Sequence, residues 1–102
     1  MQFEWDENKR QANIEKHGID FADAVKIFDS FVATHQDTRA DYGEERNVST
    51  GILDGLEITV IHTPRGNKRR IISARRARIS ERKTYYEEAE KKCQQTLNDL
   101  EQ

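Results

Sequence analysis

Arg46-Asn47-Val48-Ser49-Thr50-Gly51-Ile52-Leu53-Asp54-Gly55-Leu56-Glu57-Ile58-Thr59-Val60 is the stretch that decides the fold. Val48, Thr50 and Ile52 fall on one face of its first half, and Leu56, Ile58 and Val60 on one face of its second. A repeat of two residues marks a strand with one buried face. Asp54-Gly55 sits between the halves as a strong hairpin signal, because a tight primed turn needs positive φ. Residues 46–53 and the segment from Leu56 are therefore predicted to pair antiparallel. Pro64-Arg65-Gly66-Asn67 is a second turn. It leads into a third strand over 70–75, with Ile71 and Ile72 buried on either side. Three strands joined by two tight turns form an antiparallel meander.

Outward from this core, Val32-Ala33-Thr34-His35-Gln36-Asp37 reads as another strand, and Asp41-Tyr42-Gly43-Glu44 as a turn. Near the N-terminus, Phe3-Glu4-Trp5 alternates as a short strand. Asp6 is an N-cap for a helix that Gly18 closes, with Lys16 and His17 suited to its negative end. Asp20 caps a second helix, whose Phe21, Ala24, Val25 and Phe28 share one face. The two make a helical hairpin. Beyond the meander, Ser80 caps a last helix with Tyr86, Ala89, Cys93, Leu97 and Leu100 as its apolar seam. Its polar tail, Gln94 to Gln102, either frays or docks on a partner. The fold class is α+β: a helical hairpin, an antiparallel meander and a C-terminal helix.

A chain of 102 residues is read as one domain, 1–102, without linker or repeat. Its hydrophobic fraction is 34% against 35% charged, so the core is small. No apolar run reaches membrane-spanning length, and the first residues do not resemble a signal peptide, so no membrane role and cytoplasmic residence are expected. The single Cys93 is expected to be a buried thiol. One cysteine and three scattered histidines argue against a dedicated metal site, and no cofactor motif is present.

Charge is the functional signal. About half of the 17 Lys and Arg lie between Arg65 and Lys83, where Glu81 is the only acid, although the net charge is −2. On alternation, Arg69, Ile71, Ser73 and Arg75 share one face and Arg70, Ile72, Ala74 and Arg76 the other. Such a strip is the footprint of a polyanion partner. Any one arginine is better explained as solvated or paired with Glu44, Glu45 or the C-terminal acids, and it is the cluster together that favours such a partner. Glu45 beside Arg46 has the form of an oriented general base, and equally of a structural ion pair. His17, His35 and His62 can all titrate near neutral pH, yet His17 is accounted for by capping and His62 by strand packing. Tyr85 lies one step off the seam, either facing a cleft or in the core. RNA cleavage is the metal-free chemistry such residues supply most readily, because the substrate's 2′-hydroxyl is the nucleophile.

The order Trp5-Asp6-x-x-Lys9, Asn13-x-x-Lys16-His17-Gly18, Phe21-x-x-Ala24, Glu45-Arg46 and Gly51 resembles the BrnT family. So does the run Arg70-Ile71-Ile72-Ser73-Ala74-Arg75-Arg76-Ala77, followed by Glu81-Arg82 and Tyr85. The resemblance extends from Phe3 to about Glu88. It implies a RelE-like fold and an endoribonuclease toxin that inhibits translation. It also implies neutralisation by a BrnA-like ribbon-helix-helix antitoxin in a toxin–antitoxin heterotetramer, which meets DNA only through the antitoxin. Glu45, Arg46, Arg70, Ser73, Arg75 and Tyr85 are the motif positions it marks for a site. In the resulting scheme Arg70 and Arg75 hold the scissile phosphate, and Glu45 or His17 moves protons. Lys16, Arg69, Ser73, Arg76 and Arg82 are the candidate RNA contacts. The alternative is a catalytically inactive module that binds RNA, or binds the antitoxin as a co-repressor.

Overall fold

The computed structural model describes the backbone of residues 2–101 and the side chains of residues 2–97. Its elements are β1 (Gln2–Trp5), α1 (Glu7–His17), α2 (Phe21–Ala24), a 3₁₀ turn (Val25–Asp29), β2 (Ala33–Gln36), β3 (Asn47–Leu53), β4 (Leu56–Arg65), β5 (Lys68–Arg76) and α3 (Ile79–Glu101). Five strands form one sheet in the order β1-β5-β4-β3-β2. β1 runs parallel to β5, and the other pairs are antiparallel. The mixed fold follows from the connections. Tight turns join β3, β4 and β5, whereas the chain leaves β1 at one edge and crosses a sheet face as helix before entering β2 at the other.

Local chemistry sets the helix ends. The Asp6 carboxylate accepts from the Lys9 amide at 3.1 Å, and Gly18, at φ 70°, donates to the Ile14 carbonyl. Asp20 caps the Ala22 amide at 2.9 Å and takes a two-pronged ion pair from Arg10, both bonds 2.8 Å, which ties α1 to α2. The second arm of the expected hairpin is only one α turn that tightens into the 3₁₀ turn. Asp54 and Gly55 both have positive φ, 51° and 80°, as the hairpin signal requires.

Phe21, Ala24 and Ile27 pack on Ile58, Val60, Ile71 and Ala74 to form the core. Gly51 makes this approach possible, since a Cβ there would lie 2.9 Å from the Ile27 Cβ and 3.0 Å from Val32. Asn13 is the buried residue of α1. Its amide donates to the carbonyls of Ile19 (2.8 Å) and Ala74 (2.9 Å), and its oxygen accepts from the Ala74 amide at 3.1 Å. β1 pairs β5 only as far as Ile71, so this side chain acts as the missing neighbour strand for Ala74.

The structure revises the two-faced reading of the arginine strand. Ile61 faces Ser73 but His62 faces Ile71, so β5 carries one extra residue, Ile72, as a bulge. Cross-strand partners share a face. Arg69, Ile71, Ala74 and Arg76 therefore lie on the helix-covered side, and Arg70, Ser73 and Arg75 on the open side. Ile71 is 1% exposed, whereas Ile72 is only half-buried.

The last helix is also revised. It begins at Ile79, so Ser80 lies within its first turn rather than capping it. Tyr85 is the buried tyrosine, its ring tilted against that of Phe31 with centroids 5.6 Å apart, while Tyr86 is 53% exposed. Cys93 and Leu97 are exposed, so the thiol is not buried and the expected seam faces solvent; the Leu100 side chain lies outside the described residues. The contacts of α3 with the body, among the described residues, end at Lys92 over Phe31. Among the described residues no helix is long and apolar enough to cross a membrane.

Candidate active site

The face of the sheet opposite α1 and α2 carries a cleft of about 440 Å³. Its floor is Ala33, Val48, Thr50 and Ile61; the first turns of α3 wall one side, and the segment after β2 walls the other. Arg75, Arg78, Arg39 and His35 bring positive or titratable groups to it, and Asp37 and Glu81 bring carboxylates.

Arg75 is fixed by Glu81. Its two terminal nitrogens each donate to one carboxylate oxygen at 2.8 Å, and Nη1 also reaches the Arg76 carbonyl at 3.2 Å. Glu81 also accepts from the Arg78 amide at 2.8 Å and the Thr59 hydroxyl at 3.1 Å, and Thr59 meets the Thr50 hydroxyl at 2.8 Å. The bond to the Arg78 amide satisfies a free donor at the start of α3, so one carboxylate caps the helix and orients the arginine. Burial alone would raise the Glu81 carboxyl, but the Arg75 and Arg78 hydrogen bonds, the Arg75 charge and the Thr59 hydroxyl outweigh it and hold it at about 2. The pair is well shielded, at 17% and 12% side-chain exposure. A guanidinium has five N–H donors; three are used here, and two remain for a ligand.

On the opposite wall, Asp37 accepts from the Arg39 amide (3.2 Å), the Arg39 guanidinium (3.0 and 2.9 Å) and the Tyr42 hydroxyl (3.3 Å). The Arg39 hydrogen bonds come first among the causes that hold its carboxyl far below the usual range. Arg46 stacks over the Tyr42 ring at 4.0 Å, and its buried Nε has no hydrogen-bond partner.

The residues singled out from sequence fall in several places. Arg75 lines the cleft. Glu45, Arg46 and Arg70 lie toward the other end of the open face: Thr63, paired with Arg70, donates to the Glu45 carbonyl. Thr63 is four residues along β4 from Thr59, roughly 13 Å from the Arg75 row. Ser73 lies between, paired with Ile61. Arg69 is on the covered side, over Phe28 at 4.9 Å. Arg76 and Arg82 lie near Glu57, whose carboxyl is held low first by its own backbone amide, then by the Tyr86 hydroxyl, and last by these cations. Tyr85 is in the packing beneath α3. Lys16 and His17 end α1. Burial lowers the His17 pKa, helped by the charges of Lys16 and of Arg75, and His17 does not line the cleft.

Arg39, Arg78, Glu81 and Asn13 are not singled out as site residues from sequence, and His35 enters there only as one of three histidines. Glu81 left a signal, as the lone acid of the basic strip three residues after Arg78. Asn13 left another, as an amide at a helical position turned toward the sheet. Nothing near His35 in sequence separates it from the other two histidines. His62 is on the helix side, 3% exposed, with its Nε2 2.7 Å from Ser49 Oγ and its ring edge-on to Phe28 at 5.2 Å.

Residues 5–81 match the family described as ribonuclease toxin, BrnT, of type II toxin–antitoxin system. Among solved structures, the chain is similar to the Brucella abortus ribonuclease toxin BrnT, with 41% identity and a TM-score of 0.62, over 76% of this chain and 97% of that one. A search of the curated proteins finds no match.

Proposed function

Since the chain belongs to the BrnT family of ribonuclease toxins of type II toxin–antitoxin systems, we propose that it is a metal-independent endoribonuclease whose site is the open-face cleft. The observation that supports this most is the Arg75–Glu81 pair. A strand arginine is clamped by a carboxylate that is itself locked by a helix start, and it keeps two donors for a phosphate. Guanidinium held in a fixed position is suited to the charge that builds on phosphate oxygens during attack by the 2′-hydroxyl. Arg78 and Arg39 supply further cations at the rim, and Arg70 and Arg46 extend the positive track along the open face. In this reading Ser73 lies under the track, whereas Arg69, Arg76, Arg82 and Lys16 serve RNA only as peripheral charge.

A type II toxin implies an antitoxin. We infer a BrnA-like ribbon-helix-helix partner in a heterotetramer, a RelE-like relationship of the fold, action in the cytoplasm and arrest of translation through RNA cleavage. The test is purified protein on a defined RNA. Cleavage should persist in chelator and leave a 2′,3′-cyclic phosphate on the upstream fragment. Activity abolished by chelator and restored by magnesium would overturn the metal-free mechanism.

One observation favours the second reading, an inactive module that binds RNA or co-represses with the antitoxin: most of the Arg75 donors are already engaged internally. Induced expression separates the two, because only the active enzyme arrests growth at matched protein level.

A further inference from the structure

The cleft holds two carboxylates, and both are committed. Asp37 is wrapped by Arg39 and Tyr42, and Glu81 by Arg75, Arg78 and Thr59. A carboxylate held this firmly in its charged form cannot exchange a proton efficiently near neutral pH. Among the other lining side chains, the one imidazole is that of His35. His62 is buried on the other side of the sheet, and His17 does not line the cleft.

The geometry points to His35 as the residue that takes the proton from the RNA 2′-hydroxyl in this cleft. His35 pairs with Val48 on β2, and Val48 continues across the sheet to Ile61 and Ser73, one row from Arg75. Three strand spacings, about 14 Å, separate the backbones of β2 and β5. The side chains of both line the same cleft, which spans that gap. The floor between them is apolar or hydroxylic, so the reacting group meets no competing ion there. The His35 imidazole accepts the 2′-hydroxyl proton as the O2′–phosphorus bond forms and the phosphorus–O5′ bond breaks. The departing O5′ takes a proton from solvent, and the imidazolium returns its own to solvent. The products are a 2′,3′-cyclic phosphate and a free 5′-hydroxyl, with no net proton change. The charges facing His35 are Asp37 and Arg39 from the segment after β2, Arg75 from β5, and Arg78 and Glu81 from the start of α3.

This assignment rests on the ribonuclease reading, and the test separates the two. Full-length wild-type, His35→Ala, His35→Gln and Arg75→Lys proteins are compared on one RNA oligonucleotide. Cleavage rate, RNA affinity and thermal unfolding are measured. His35 is exposed on an edge strand, so both of its variants should unfold like the wild type. Both should lose about 10²–10⁴-fold in kcat with RNA affinity within a few-fold. The acidic limb of the wild-type kcat/KM profile should vanish, and added imidazole should restore His35→Ala but not Arg75→Lys. Wild-type activity in the His35 variants overturns the assignment and leaves the ribonuclease reading standing. Loss of RNA affinity in proportion to rate, without imidazole rescue, overturns it too and makes His35 a binding residue. A wild-type protein that cleaves no RNA overturns the reading and the assignment together.

Discussion

Arg75 and Glu81 show why a residue's face and partner matter more than its type. An arginine on a basic strand looks replaceable at little cost. Here its loss leaves Glu81 shielded and without its main cation, so Arg75→Ala should destabilise the protein by roughly 2–4 kcal/mol as well as remove activity. Glu81→Ala should cost a similar amount and also uncap α3. The double variant should be clearly more stable than the sum of the single losses, because the unpaired charge is gone. Urea unfolding of the four proteins gives the coupling; additive losses would show that the pair does not act as a unit. His62 supplies the pH dependence. Burial, with a smaller contribution from the charge of Arg69, lowers its pKa from 6.5 to about 4. The unfolded chain therefore binds a proton that the folded one refuses between those values. Stability is full above about pH 6.5 and falls as pH drops toward 4, by up to about 3 kcal/mol. His62→Gln should flatten most of that part of the profile, the remainder belonging to His17, and leave the steeper loss below about pH 4.5 that comes from protonating Asp20, Asp37 and Glu81. An unchanged slope from pH 6.5 to 4.5 in the variant would exclude His62 as its source.

At the scale of elements, the meander was legible because its signals are local. Alternation, Asp54-Gly55 and Gly66 each act within a few residues, and all three strands of the meander follow from them. The caps at Asp6, Gly18 and Asp20 were legible for the same reason. The parallel pairing of β1 with β5 was not, since it joins residues more than sixty apart and leaves no local trace. Nor was the bulge at Ile72, which one strand's pattern cannot reveal because it is a mismatch between two strands. That single residue decides which arginines face the cleft, and so the site was less legible than the fold. Periodicity also misassigned α3: Tyr86, Cys93 and Leu97 keep helical spacing, but a stripe does not supply a surface to cover it. Asn13 joins elements that sequence could not bring together. Replacing it with Ala should cost about 2–4 kcal/mol, because the Ala74 amide and carbonyl lose their partner in the interior. Hydrogen exchange offers a sharper reading than the melting temperature. The Ala74 amide should lose protection selectively in Asn13→Ala, while the amides of β3 and β4 follow the global stability alone. Retained protection at Ala74 would mean that another group serves that edge of β5.

At the scale of the molecule, a small body carries a long helix. The longest dimension is 50 Å against 28 and 26 Å. The family match ends at residue 81, and the Brucella abortus toxin is matched over 97% of its length by only 76% of this chain. The body that holds the cleft thus coincides with the shared part, while every described side chain from Lys91 to Leu97 is exposed. Among the described residues, the last contact of α3 with the body is Lys92 over the Phe31 ring at 5.2 Å. Truncation after Gln94 should therefore leave thermal unfolding nearly unchanged and RNA cleavage within about two-fold, since exposed side chains contribute little to either. The antitoxin is the partner for which the same cut has a different meaning. Arg75, Arg78, Arg39 and Arg70 bring cations to the open face, so a partner that covers the cleft gains from their charge, and such covering weakens with salt. If the antitoxin silences the toxin by covering the cleft alone, inhibition of the truncated protein should match that of the full chain at each salt concentration. If inhibition instead weakens on truncation and its salt dependence steepens, the exposed stripe of α3 is the apolar anchor of the complex. Loss of RNA cleavage itself would place the end of α3 within the site and overturn the division between body and helix.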